Sequence, residues 1–152
     1  MLKVAIGSDH SAFKYRVEIK KELEKKNYKI KDFGIYEDKP SRNYEVAEKV
    51  ALSVSNGESD RGILICGTGI GMSISANKIP GTRAALCYNL FSAVKAREHN
   101  DSNILVMGAR VIGLEFAKEI TVLWLETSYE GGRHIERNDH IMELDSKYRK
   151  LQ

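Results

Sequence analysis

Along this chain, short apolar runs alternate with segments in which apolar residues recur every three or four positions. Val4-Ala5-Ile6-Gly7 is the first run and ends in Ser8-Asp9-His10. Segments 28–33, 62–66, 83–88 and 104–107 repeat the pattern, and all five predict strands. Segment 62–66 is apolar throughout, as a strand covered on both faces should be. Ala12, Tyr15, Ile19 and Leu23 recur at helical spacing, with lysines on the other faces. Further helices are predicted over 44–54, stopped by Asn56-Gly57, over 70–77, ended by Ile79-Pro80-Gly81, and over 90–98 and 114–125. Unbroken alternation of strand and helix predicts an α/β fold, a parallel sheet with helices on both sides. Right-handed crossovers make such a sheet doubly wound. There is no internal repeat, low-complexity tract or linker, so one domain over 1–152 is expected.

The tail breaks the pattern. After Gly131-Gly132, a helix is expected over about 134–150. Its stripe of Ile141, Leu144, Tyr148 and Leu151 either covers the parent core or packs on a second subunit. The domain is already complete without it, and closed homodimers are the commonest oligomers, so a partner subunit is the expectation.

Composition narrows the classes. Acidic and basic residues are interleaved, and a formal charge of +3 is too small to argue for nucleic acid. No run approaches the ~20 apolar residues of a membrane span, and the first seven residues turn polar too soon for a signal peptide. Two cysteines, Cys66 and Cys87, form neither a disulfide framework nor metal-ligand spacing, which suits a cytoplasmic protein.

In open parallel sheets, ligands collect at the carboxyl ends of the strands. Asp9 and His10, segment 66–71, Tyr88 and Asn89, and segment 108–110 all fall there. Gly67, Gly69 and Gly71 allow close backbone approach and unusual dihedrals. A helix starting near Ile70 would turn free N–H groups into the loop, a nest for an anion or a developing oxyanion. Met72 stands where a dinucleotide fingerprint counted from Gly67 needs glycine, and where a cysteine phosphatase needs arginine six residues after the thiol. No Gly-Lys-Ser/Thr follows, which excludes a nucleotide-triphosphate loop. A plain tight turn at the strand end stays open. Cys87 reads as a buried, inert thiol. Cys66, at the lip of the glycine loop, is placed where a helix N-terminus favours thiolate, a nucleophile or a base. His10 and His99 are candidates against an ordinary surface role, whereas His134 and His140 read as ordinary polar residues. Arg133 and Arg137 stand four apart, on one face of a helix. They would share an anion through their planar forks, or pair with Glu130, Glu136 or Asp139.

With these residues assembled, the chain closely resembles the ribose-5-phosphate isomerase type B family, to which galactose- and allose-6-phosphate isomerases also belong. The resemblance runs nearly end to end through four blocks in order: GSDHSAFKYR, GILICGTGIGMSISANKIPGTRAALC, REHNDSNILVMGARVIG and YEGGRHIERN. It implies a three-layer α/β/α sandwich with a five-stranded parallel sheet in the order 2-1-3-5-4. It implies aldose–ketose isomerisation of D-ribose 5-phosphate and D-ribulose 5-phosphate through an enediolate, without metal or other cofactor. By the same resemblance Cys66 moves the proton between C1 and C2 and Thr68 assists it. The backbone of Gly67, Gly69, Ile70 and Gly71 holds the enediolate oxygen. His99, with Asp9, opens the furanose ring. His10, Arg133 and Arg137 grip the phosphate, and Asn100 and Arg110 bind substrate. The resemblance implies a site shared across a homodimer, with pairing of dimers into a tetramer left open.

One departure stands out. The family's Asp-Tyr-Pro-x-Tyr-Ala-like segment is here Arg42-Asn43-Tyr44-Glu45-Val46-Ala47, so the aromatic lining the sugar pocket is replaced by Asn43. A six-carbon substrate, allose 6-phosphate or galactose 6-phosphate, is therefore the alternative. A non-catalytic phosphate-ligand binding module is a further one, but it would have no need of Cys66 and His99.

Overall fold

The structure is a computed structural model that describes residues 1–34 and 43–149. Five parallel strands, β1 (Lys3–Ser8), β2 (Lys29–Asp32), β3 (Arg61–Cys66), β4 (Ala84–Leu86) and β5 (Ile104–Gly108), form one sheet in the order β2-β1-β3-β5-β4. Six helices accompany it: α1 (Phe13–Lys25), α2 (Asn43–Ser55), α3 (Ile70–Ala76), α4 (Leu90–Glu98), α5 (Leu114–Glu126) and α6 (Ile135–Arg149). Short 3-10 turns, His10–Ala12 and Gly132–His134, lead into α1 and α6. Among the described residues, no helix is long and apolar enough to cross a membrane.

The doubly wound three-layer expectation and its strand order both hold. Alternate strand residues face opposite ways. Val4, Ile6, Ile63, Ile65, Leu105 and Met107 pack with α1, α4 and α5 around Ile19, Leu23, Ile120 and the wholly buried Trp124. Ala5, Leu64, Cys66, Ile104 and Val106 pack with α2 and α3 around Val46, Val50 and Met72. Both faces of β3 are covered, which is why its sequence is an unbroken apolar run.

Two strands are shorter than their apolar patterns. Before β2, Asn27 turns left-handed at φ 65° and the Tyr28 amide closes on the Leu23 carbonyl. Before β4, the Arg83 amide donates to the Asn103 side chain at 2.7 Å instead of the ladder.

Two buried arginines brace the frame. Arg16 lies 3.5 Å from Asp32, against Gly34. Arg97 donates to Asp101 Oδ1 at 2.8 Å and to the Ser102 carbonyl at 2.6 Å, with its guanidinium over the Trp124 ring. Trp124 Nε1 in turn donates to Ser102 Oγ at 2.9 Å. The turn from α4 into β5 is thereby held on three sides, with Asp101 at φ 45°.

The tail helix α6 is tied to its own chain by polar contacts. Asp145 accepts from the Gly81 amide at 3.0 Å, and Arg149 donates to the carbonyls of Asn77 and Lys78. Its apolar members Ile135, Ile141, Leu144 and Tyr148 are each 41–58% exposed. Leu151 and Arg42 lie outside the described residues.

Candidate active site

Cys66 is the last residue of β3, and the chain leaves it through Gly67 and Thr68 into α3. Gly69 sits at φ 81°, a left-handed turn that glycine adopts without penalty. That turn aims the Gly69 N–H at Cys66 Sγ, 3.1 Å away. A Cβ on Gly69 would meet Leu86 Cδ1 at 2.5 Å and the Met107 carbonyl at 3.0 Å. One on Gly108 would meet the Thr68 backbone at 2.6 Å. The loop thus rests backbone to backbone on the end of β5. Cys66 itself is only 3% exposed, more enclosed than its position at the lip suggests, because α2 and α3 close over it. Cys87 is buried too, and burial pushes its thiol up in pKa.

Four neighbours complete this end of the sheet. Asp9 follows β1, with its carboxylate accepting from Ser11 Oγ at 2.6 Å, and exposed His10 opens the turn beyond it. The Arg110 side chain lies along Gly67, and the Arg110 amide donates to the Gly67 carbonyl at 2.9 Å. Tyr88 donates its hydroxyl to the Thr68 carbonyl. Thr68 Oγ1 accepts from the Ile70 amide at 3.3 Å, while Ile70 and Gly71 stand exposed at the start of α3.

The remaining candidates gather elsewhere. His99 caps the C-terminus of α4 and stacks flat on His134, with ring centroids 4.2 Å apart and planes 14° from parallel. Glu130 Oε2 is 3.4 Å from His134 Nε2 and 4.0 Å from His99 Nε2. Buried Asn138 donates to the His99 carbonyl at 2.8 Å and to the Tyr129 hydroxyl at 2.9 Å. Burial, then the neighbouring His99 and Arg133, hold the His134 pKa below the ordinary histidine value. Arg133 lies in the 3-10 turn and Arg137 in the first turn of α6, both exposed, as is Asn100.

These two groups occupy opposite ends of the sheet. Cys66 pairs with Gly108 at the carboxyl end of the β3–β5 ladder, and Gly62 with Ile104 at the amino end. The turn carrying His99 and Asn100 feeds that amino end, where the Gly62 amide donates to Asn103. Four strand steps alone separate the levels by about 13 Å. A single chain therefore brings together Asp9, His10, Cys66, Thr68, the glycine loop and Arg110. It does not bring His99, Asn100, Arg133 or Arg137 to them.

His134, Glu130 and Asn138 belong to the second group, although by sequence His134 reads as an ordinary polar residue, Glu130 only as a partner for the arginines, and Asn138 carries no signal. The spacing of Glu130 and His134, four apart, was the available signal. Nothing local points to His99, 35 positions before His134 in the chain.

Fold and placement define a doubly wound α/β protein with a buried thiol and a glycine loop at one end of its sheet and a histidine–arginine cluster at the other. The chain belongs to the ribose/galactose isomerase family, whose model matches residues 4–141, and it is an isomerase of that family. It is 44% identical over 147 residues to ribose-5-phosphate isomerase B of Escherichia coli, covering 97% of this chain and 99% of that one. It is 43% identical to D-erythrulose-4-phosphate isomerase of Pectobacterium atrosepticum, over 87% of this chain and 88% of the relative. The ribose-5-phosphate isomerase B structure from Clostridium thermocellum superposes with a TM-score of 0.94 at 47% identity, over 97% and 99% of the two chains.

Proposed function

We propose that this protein interconverts D-ribose 5-phosphate and D-ribulose 5-phosphate by proton transfer through an enediolate, with Cys66 as the base. The observation that carries the reading is the Gly69 amide set 3.1 Å from Cys66 Sγ at the mouth of a glycine loop. That donor fixes the sulfur at the loop where the base is needed. The thiolate takes the proton from C2 of the open-chain aldose. The electron pair moves into the C1–C2 bond, and the carbonyl oxygen becomes an oxyanion held by loop amides and assisted by Thr68. A proton passes from the C2 hydroxyl to the C1 oxygen, the C2 oxygen becomes the carbonyl as the C1–C2 double bond opens, and the thiol returns its proton to C1, leaving the ketose. No electron leaves the substrate, so the step needs no redox cofactor, and charge stabilisation is assigned to the loop rather than to a metal.

The separation of the two groups within one chain supports a homodimer in which each site is composite. One copy contributes Asp9, His10, Cys66, Thr68, the 67–71 loop and Arg110. The other contributes His99 for ring opening and Asn100, Arg133 and Arg137 for the substrate and its phosphate. The half-exposed apolar residues of α6 supply surface for such an association. A phosphate gripped far from C1 lets remote binding energy orient the reacting end.

The four-carbon substrate in the name of the Pectobacterium relative supports a second reading in which sugar length differs. Purified protein assayed with four-, five- and six-carbon aldose phosphates tests both. The highest kcat/KM with ribose 5-phosphate is expected, and preference for another chain length overturns the substrate assignment.

A further inference from the structure

We propose that His99, Glu130 and His134 form a binding site for a divalent transition-metal ion of the zinc class, and that an ion held there inhibits the isomerase. One ligand atom from each residue lies within 4.8 Å of the other two, and among the described residues no other three potential ligands do so. Two imidazoles and a carboxylate are a donor set that zinc takes with water completing its shell. At bond lengths near 2.0–2.1 Å, tetrahedral donors stand about 3.3 Å apart. The Glu130–His134 separation of 3.4 Å already matches, and the Glu130–His99 separation of 4.0 Å must close a little.

The frame around the site is firm where it needs to be. Asn138 fixes the His99 main chain, and the Glu130 amide donates to the Glu98 carbonyl at 3.1 Å. The His99 ring must swing out of its near-parallel stack for both lone pairs to converge, and its side chain, 31% exposed, has room to do so. Arg133 Nε sits 3.4 Å from His134 Nε2 and must move off, which an exposed side chain can do. Arg133 and Arg137 oppose a cation by charge, so the site is suited to reversible occupancy rather than to a permanent structural ion.

Inhibition rests on the functional reading above, because zinc would occupy the His99 lone pair needed for ring opening. Binding itself does not depend on that reading. Titration of the chelator-treated protein with zinc chloride by calorimetry should show one ion per chain. Glu130→Gln and His134→Gln should each weaken binding about 10–100-fold or more. The cobalt-loaded protein should show a tetrahedral ligand-field spectrum without a thiolate-to-cobalt band, which separates this site from one at Cys66. Zinc should inhibit the parent enzyme, and Glu130→Gln should resist it, each rate being taken as a fraction of that protein's own metal-free rate. Absence of binding, unchanged affinity in both variants, or a thiolate band overturns the site. Zinc bound there with no loss of isomerase rate overturns the inhibition, while the metal-free rate tests the isomerase reading separately.

Discussion

The Gly69 amide donates to the sulfur of Cys66 across 3.1 Å, from a left-handed turn that only glycine takes easily. The sulfur is thus held by the same loop whose residues Thr68, Ile70 and Gly71 are exposed.

Replacing that sulfur should remove the base and little else. Cys66→Ala is expected to lower turnover by about 10²–10⁴, the range for a lost general base. Circular dichroism should stay unchanged. Parental turnover of ribose 5-phosphate by this variant would refute the role of the thiol.

Because the two halves of the candidate site stand at opposite ends of one chain, they should complement between chains. Cys66→Ala and His99→Asn proteins, each inactive alone, should regain about a quarter of parental activity when co-expressed in equal amounts. Half of the randomly assorted dimers are mixed, and each of these holds one intact site of two. No recovery, with mixed dimers confirmed by differential tagging, would mean that each chain works on its own.

Gly108→Ala should damage the loop from the other side. The added methyl meets the Thr68 backbone at 2.6 Å, and backbone yields less readily than a side-chain tip. An overpacking penalty of about 1–3 kcal/mol is expected in urea unfolding. An unchanged midpoint would show that β5 and the loop are not in tight contact.

The His134 pKa is depressed, chiefly by burial and then by His99 and Arg133. A depressed histidine binds fewer protons in the folded chain than in the unfolded one, so stability rises with pH where the unfolded chain still holds the proton. This contribution is full above the unfolded value of 6.5 and falls away as the pH drops from there toward the lower folded value. Tm followed from about pH 8 to pH 5 should decline more steeply in the parent than in His134→Gln. Equal slopes would assign the acid sensitivity to other groups.

Much of this frame was legible in the residues. The helices from Ile70 and from Leu90 to Glu98 begin where their patterns predict, because glycine before one and Asn89 before the other mark the starts; Asn89 accepts from the Ser92 amide as a cap should. β3 was legible because its two-sided burial leaves an apolar run. The strand order came only from the resemblance, since the apolar pattern of a strand carries no record of its neighbour. The buried arginines were illegible for a similar reason. Arg97 looks like any helix-surface arginine until Asp101, Ser102 and Trp124 fold around it. By sequence His134 reads as an ordinary polar residue, because its burial comes from contacts with the distant end of α4 rather than from its polar surroundings in the chain.

The five-rung ladder between β3 and β5 runs from Gly62 beside Ile104 to Cys66 beside Gly108. It works as a ruler for the molecule, with the thiol graduated at one end and the histidine turn at the other. A slip of one rung would turn Cys66 to the opposite face of the sheet and carry the histidine turn out of line with it. Alignment of chemistry at two distant points is therefore written into a single strand pairing.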